Sequence, residues 1–111
     1  MNTSYYAHYQ GGNAISIAGK CPDWYKGREY KKLAPKYSWW KEWKSGKLNN
    51  DDYIKLYKET VLNKLNPKEV YKDLGKDAVL LCWENKDKFC HRHIVANWLQ
   101  EKLGIEVKEL D

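Results

Sequence analysis

Residues 78–83, AVLLCW, are apolar with no polar alternation, the pattern of a short strand covered on both faces of a parallel sheet. The period then changes: Ile94, Val95, Trp98, Leu99 and Leu103 recur at helical spacing and Gly104 follows, which predicts an amphipathic helix closed by glycine. Residues 13–18, NAISIA, read as a second buried strand ended by Gly19 and Pro22, and residues 105–109 as a last short one. Residues 4–9 form an edge strand or an irregular arm, divided from the next strand by Gly11-Gly12.

The helices between these strands carry start and stop signals. Tyr53, Leu56, Tyr57, Val61 and Leu65 share a helical face behind a cap at Asn49 or Asn50, with Asp51 near the positive end. Asn66-Pro67-Lys68-Glu69 reads as cap, first-turn proline and N3 carboxylate of a two-turn helix that ends at Gly75. Residues 20–47 are punctuated by Pro22, Gly27, Pro35 and Gly46 and read as loop, with a helical turn or two over 37–44. The order strand, helices, strand, helix, strand predicts one α/β domain over residues 1–111. It has a small, mostly parallel sheet flanked by helices in two or three Rossmann-like layers. Ligands in such sheets sit beyond the carboxyl ends of the strands, where the turn after Cys82 falls.

Composition adds two constraints. A mean hydropathy of −0.88 is low, yet six Trp and nine Tyr supply apolar area that hydropathy undercounts, so a folded core is expected. The net charge of +5 biases the chain mildly toward anionic partners, although lysines scattered over helices serve a solvated face equally well. Residues 1–10 are polar and tyrosine-rich, and three cysteines cannot all pair, so a cytoplasmic protein with reduced thiols is expected. No apolar run reaches the roughly 18 residues of a membrane span.

The turn between the central strand and its helix gathers the chemistry. Cys90, His91, Arg92 and His93 open the helix, with Asp87 in the 84–89 turn as the expected cap. Backbone N–H groups point outward there, which suits an anionic ligand. Cys90 is either a nucleophile favoured by the helix start and Arg92, or a small apolar side chain packing the junction. Cys82 reads as packing, and Cys21 lies in a loop whose spacing compels nothing. His91 and His93 project roughly 200° apart on a helix, so one alone faces a pocket; His91 shares a face with Val95 and Trp98, and His93 is the more exposed. Arg92 is the leading ligand for a phosphate, unless Glu84 or Asp87 takes it across the turn. Cys82, Cys90, His91 and His93 are zinc-ligand types, but their spacing matches no zinc template, and neither metal nor cofactor is expected.

An aromatic segment supplies the other half of a candidate site. Trp24, Tyr25, Trp39, Trp40 and Trp43 interleave with Lys26, Arg28, Lys36, Lys41 and Lys44, as a base-stacking wall would require. Trp39 and Trp43, four apart, also fit an apolar stripe that covers a sheet. Tyr6, Trp24, Tyr25, Arg28, Trp40, Glu84, Arg92 and His93 are the expected ligand-binding residues.

The segment LLCWENKDKFCHRHIVANWLQEKLG resembles the family called domain of unknown function 488, through Leu80, Leu81, Cys82, Glu84, Cys90, His91 and Arg92. Weaker similarity covers residues 4–7 and 15–18, Pro22, Trp24 and residues 33–35. The resemblance implies an α/β domain with a pocket near the Cys-His-Arg turn and supplies no activity. The expected function is binding of a nucleotide or nucleotide-derived anion, as sequestration without turnover. Two alternatives stand beside it: an enzyme acting on a nucleotide or nucleic acid with Cys90 as nucleophile and His91 or His93 as proton partner, and a single-stranded nucleic-acid-binding module.

Overall fold

In the computed structural model, which describes residues 1–85 and 87–110, five strands pair in parallel in the order β3-β2-β4-β1-β5. The strands are β1 (Asn2–Tyr5), β2 (Ala14–Ser16), β3 (Arg28–Glu29), β4 (Val79–Cys82) and β5 (Lys108–Glu109). Helices α1 (Tyr37–Lys44), α2 (Asn50–Thr60) and α3 (Pro67–Leu74) connect β3 to β4, and α4 (His91–Leu103) connects β4 to β5. Short 3-10 turns occupy Lys31–Leu33 and Leu62–Lys64.

The apolar strand takes the centre for the reason its pattern gives. Leu80 faces a cluster that holds Ile15, Tyr57, Val95 and Leu99, while Val79 and Leu81 face Tyr6, Ala14 and Ala18 on the opposite side. Trp39 of α1, Tyr53 and Tyr57 of α2, Val70 and Leu74 of α3, and Trp98 and Leu99 of α4 all enter the first cluster. The second is closed by loop residues Tyr9, Cys21 and Tyr25. The architecture is therefore the two-layer form of the α/β fold.

Local signals act as expected at most helix ends. Asn49 Oδ1 accepts from the Asp52 N–H at 2.8 Å, and Asn66 Oδ1 from the Lys68 N–H at 2.9 Å. Gly104 takes the left-handed conformation (φ 66°) that closes α4. Asp87 does not cap α4; Cys90 holds the N-cap position with no side-chain bond, and the Asp87 backbone N–H donates to Asn85 Oδ1 at 3.1 Å. Position 86 of that turn lies outside the described residues. Helix α2 ends before Val61 and Leu65, which flank the 3-10 turn on either side.

Two strands depart from the sequence pattern. The front segment is neither an edge strand nor an arm: β1 begins earlier, at Asn2, and is paired on both sides, by β4 and β5. Its buried side chains are Thr3 and Ser4, polar residues that conceal a buried strand. Strand β3 emerges inside the presumed loop because two exposed residues, Arg28 and Glu29, need only backbone pairing with β2.

The largest correction concerns Arg92. Its side chain is fully buried and its guanidinium faces inward. Nε and Nη2 each donate at 2.9 Å to the two carboxylate oxygens of Glu109, and Nη1 donates to Cys82 Sγ at 3.0 Å and to the Glu84 carbonyl at 2.6 Å. Thr3 Oγ1 donates to the same carboxylate at 2.6 Å. Arg92 is therefore not available to an external phosphate. Its partner is an acid 17 residues onward on β5, rather than the side chain of Glu84 or Asp87.

Glu109→Gln leaves a buried guanidinium without its counter-charge, and we expect urea denaturation to show a loss of about 3 kcal/mol. The double variant Arg92→Met/Glu109→Leu should recover much of that loss. A Glu109→Gln variant within about 0.5 kcal/mol of the parent, the range of ordinary surface changes, would show that the pair does not hold the fold.

Candidate functional site

A cavity of about 820 Å³ opens at the carboxyl ends of β2 and β4, where a parallel sheet presents its ligand crevice. Ala18, Gly19 and Lys20 enter from the end of β2, and Cys82, Trp83 and Glu84 from the end of β4. Tyr37, Trp40, Trp43 and Lys44 enter from α1, while Phe89, Cys90 and His91 come from the start of α4. Tyr53 of α2 completes the aromatic wall.

Helix α1 sorts its rings by helical phase. Trp39 is buried against Tyr53 at a ring separation of 5.0 Å and serves the core. Tyr37 and Trp40, three apart, stack at 6.0 Å along the cavity side. Trp43 bridges the two roles, 5.3 Å from both Tyr53 and Phe89, and donates its indole N–H to Asn50 Oδ1 at 2.7 Å. At the mouth, Lys44 pairs with Glu84 and lies 5.9 and 5.5 Å from the Trp40 and Trp43 rings. Trp83 donates its indole N–H to the Lys20 carbonyl at 2.6 Å, which ties the two strand ends together. Lys20 has no carboxylate partner among the described residues.

At the inner end lie sulfur and imidazole. Cys82 and Cys90 are joined as a disulfide, which overturns the expectation of reduced thiols for that pair and leaves Cys90 no free thiolate in this state, while Cys21 is free. Their Cα atoms stand 7.3 Å apart. His91 Nε2 lies 2.7 Å from the Ile17 carbonyl, which can only accept, so we assign the proton to Nε2. Nδ1 is left with its lone pair toward Cys90 Sγ, 3.7 Å away. Burial, aided by the neighbouring Arg92 charge, pulls His91 down to about 4, so the ring is neutral at pH 7.

Ligand atoms of Cys82, Cys90 and His91 lie within 4.8 Å of one another. The donor set does not fit a metal ion in this state, because disulfide sulfurs carry no thiolate charge and the Arg92 cation adjoins Cys82.

Of the residues expected from the sequence, Cys90, His91, Trp40 and Glu84 line this one cavity. The other expected ligand-binding residues stand elsewhere. Arg92 is consumed by Glu109, and the half-buried His93 turns away from the cavity, its ordinary value lowered by burial. Tyr6 is buried, its hydroxyl 2.5 Å from Ser16 Oγ, and Trp24, Tyr25 and Trp83 pack around its ring. Tyr25 donates its hydroxyl to the Arg28 carbonyl, and Arg28 donates to the Asp73 carbonyl at the β3 edge. Lys20, Tyr37, Tyr53, Trp83 and Phe89 were missed as site residues; position after a strand end was the available signal for Lys20 and Trp83.

The match to known sequences can be set beside this geometry. A family model described as the active DUF488-N3 subclade matches residues 7–103. The chain belongs to the DUF488 family. The Cys-His-Arg motif of this DUF488 chain accordingly divides into two cavity-lining residues, Cys90 and His91, and one structural clamp, Arg92. No curated protein and no solved structure matches the chain.

The buried imidazole makes stability depend on pH. Below about 6.5 the unfolded chain takes up a proton at His91 that the folded one refuses until about 4, so folding weakens as pH falls through that window. The loss from this residue is on the order of 3 kcal/mol. Burial alone would raise the Glu109 carboxyl, but hydrogen bonds from Arg92 and Thr3 outweigh it and hold the group below its ordinary value, which adds a further loss at more acid pH. Denaturation of His91→Gln should show a flatter slope between pH 6.5 and 4 than the parent; equal slopes would exclude His91 as the source.

Proposed function

We propose that this protein binds a nucleotide or other nucleotide-derived anion in the cavity at the ends of β2 and β4, holding it without turnover. The observation that carries the reading is the pairing of an aromatic wall with lysines at the mouth. Tyr37, Trp40 and Trp43 offer faces for a planar heterocycle, and Lys20 and Lys44 stand where an anionic group would remain near solvent. The anion is placed on these lysines and not on Arg92. A ligand phosphate would compete with Glu84 for Lys44, a partly exposed pair that yields at little cost. The opening of α4 beside the cavity adds partial positive charge. A cytoplasmic setting belongs to this proposal; no helix among the described residues is long and apolar enough to cross a membrane.

A second reading, a cysteine-dependent enzyme acting on a nucleotide, is favoured by one observation: Cys90 and His91 line the same cavity with Nδ1 turned to the sulfur. It requires the disulfide to open first. Single-stranded nucleic acid fits less well, because Trp24 and Tyr25 pack around Tyr6 while Trp39 enters the core, which breaks up a continuous stacking track.

Titration calorimetry with the 5′-mono- and diphosphates of adenosine, guanosine, uridine and cytidine tests the first reading. Saturable binding to at least one is expected. Trp40→Ala should weaken it by about 5- to 150-fold, the worth of one stacked base, with Trp24→Ala unchanged. Failure of the whole panel to bind, or equal loss in both variants, overturns the assignment.

A further inference from the structure

The Cys82–Cys90 pair has features that a purely structural bridge does not need. Both cysteines line the cavity while packing among the buried residues on the Val79 and Leu81 face of the sheet. The two sulfurs also have different surroundings. Cys82 Sγ receives an N–H from Arg92 Nη1, the guanidinium nitrogen not turned to Glu109, and this contact gains most when the sulfur carries negative charge. Cys90 is the less deeply buried residue of the two, and its Sγ lies 3.7 Å from His91 Nδ1.

We propose that Cys82 and Cys90 form a thiol–disulfide exchange site for a small thiol admitted through the aromatic cavity, with Cys90 as the sulfur attacked and Cys82 as the leaving sulfur. The incoming thiol gives up its proton to solvent, and its sulfur bonds to Cys90 Sγ. The Cys82–Cys90 bond breaks, and its electron pair goes to Cys82 Sγ, where the Arg92 N–H stabilises the thiolate. A second thiol attacks the outer sulfur of this mixed disulfide and releases an external disulfide, and through solvent the two thiol protons end on Cys82 and Cys90. Two substrate thiols are thereby oxidised to one disulfide while the protein pair is reduced; an external disulfide, acting as oxidant, closes the pair by the reverse path. In a reducing compartment, protein disulfides are chiefly of this transient or catalytic type. The inference is independent of any nucleotide ligand.

The test uses the full chain carrying Cys21→Ser, equilibrated in glutathione buffers of increasing reduced-to-oxidised ratio and then alkylated. The folded protein, monitored by circular dichroism, should pass reversibly from no alkylated thiols to two. A pair that stays closed until denaturant is added, or that is open at every ratio, overturns the proposal. Adding Cys82→Ser and treating with oxidised glutathione should place one glutathione on Cys90. A folded Cys82→Ser protein that gains no adduct also refutes the proposal. Should that variant not fold, the buffer titration of the parent pair decides alone.

Discussion

The buried ion pair between Arg92 and Glu109 organises both the fold and the site. One guanidinium joins α4 to β5 through the carboxylate, to the end of β4 through Cys82 Sγ and the Glu84 carbonyl, and to the face of the Tyr5 ring on β1 at 5.8 Å. Thr3 of β1 holds the same carboxylate. Withdrawing two charges from water costs several kcal/mol per ion, which only near-ideal geometry offsets, so the pair is better understood as specifying where β5 docks than as added stability. A strand of two residues has little backbone pairing with which to choose its place. The carboxylate at its end supplies the missing address.

That commitment shapes the cavity. With the guanidinium turned into the sheet, the pocket at the ends of β2 and β4 is left with rings and sulfur inside and with Lys20, Lys44 and Glu84 at the mouth. Any anion must be met at the rim, where interactions are weak singly and screened by salt. The interior offers ring faces and, at its inner end, the Cys82–Cys90 sulfurs beside the His91 imidazole. Arg92 still acts there at one remove, through its contact with the Cys82 sulfur.

The aromatic residues show how one helix serves two purposes. Trp39 and Trp40 are adjacent in sequence yet point to different regions, since neighbours on a helix are separated by about 100°. Trp39 meets Tyr53 and Tyr57 in the core, while Trp40 meets Tyr37 and the cavity. Periodicity predicted that some of these rings would cover the sheet. Which of them do so depended on how α1 docks against α2, a contact that the spacing of residues within α1 does not encode.

Local patterns determined the elements that carry their own physical reasons: the all-apolar β4, the Asn49 and Asn66 caps, the Gly104 terminus, and the placement of Cys90 and His91 at the end of a central strand. These depend on near neighbours, through side-chain periodicity, capping and steric allowance of φ. Tertiary structure decided the internal position of β1, whose burial is paid for by partners across the sheet, and the pairing of β3 with β2. It also decided the fate of the two groups on which the chemistry turns. Arg92 found Glu109 rather than an acid in its own turn, and Cys90 found Cys82. Both partnerships join separate elements at the carboxyl ends of packed strands, and such distances are set by how layers stack and not by any spacing along the chain.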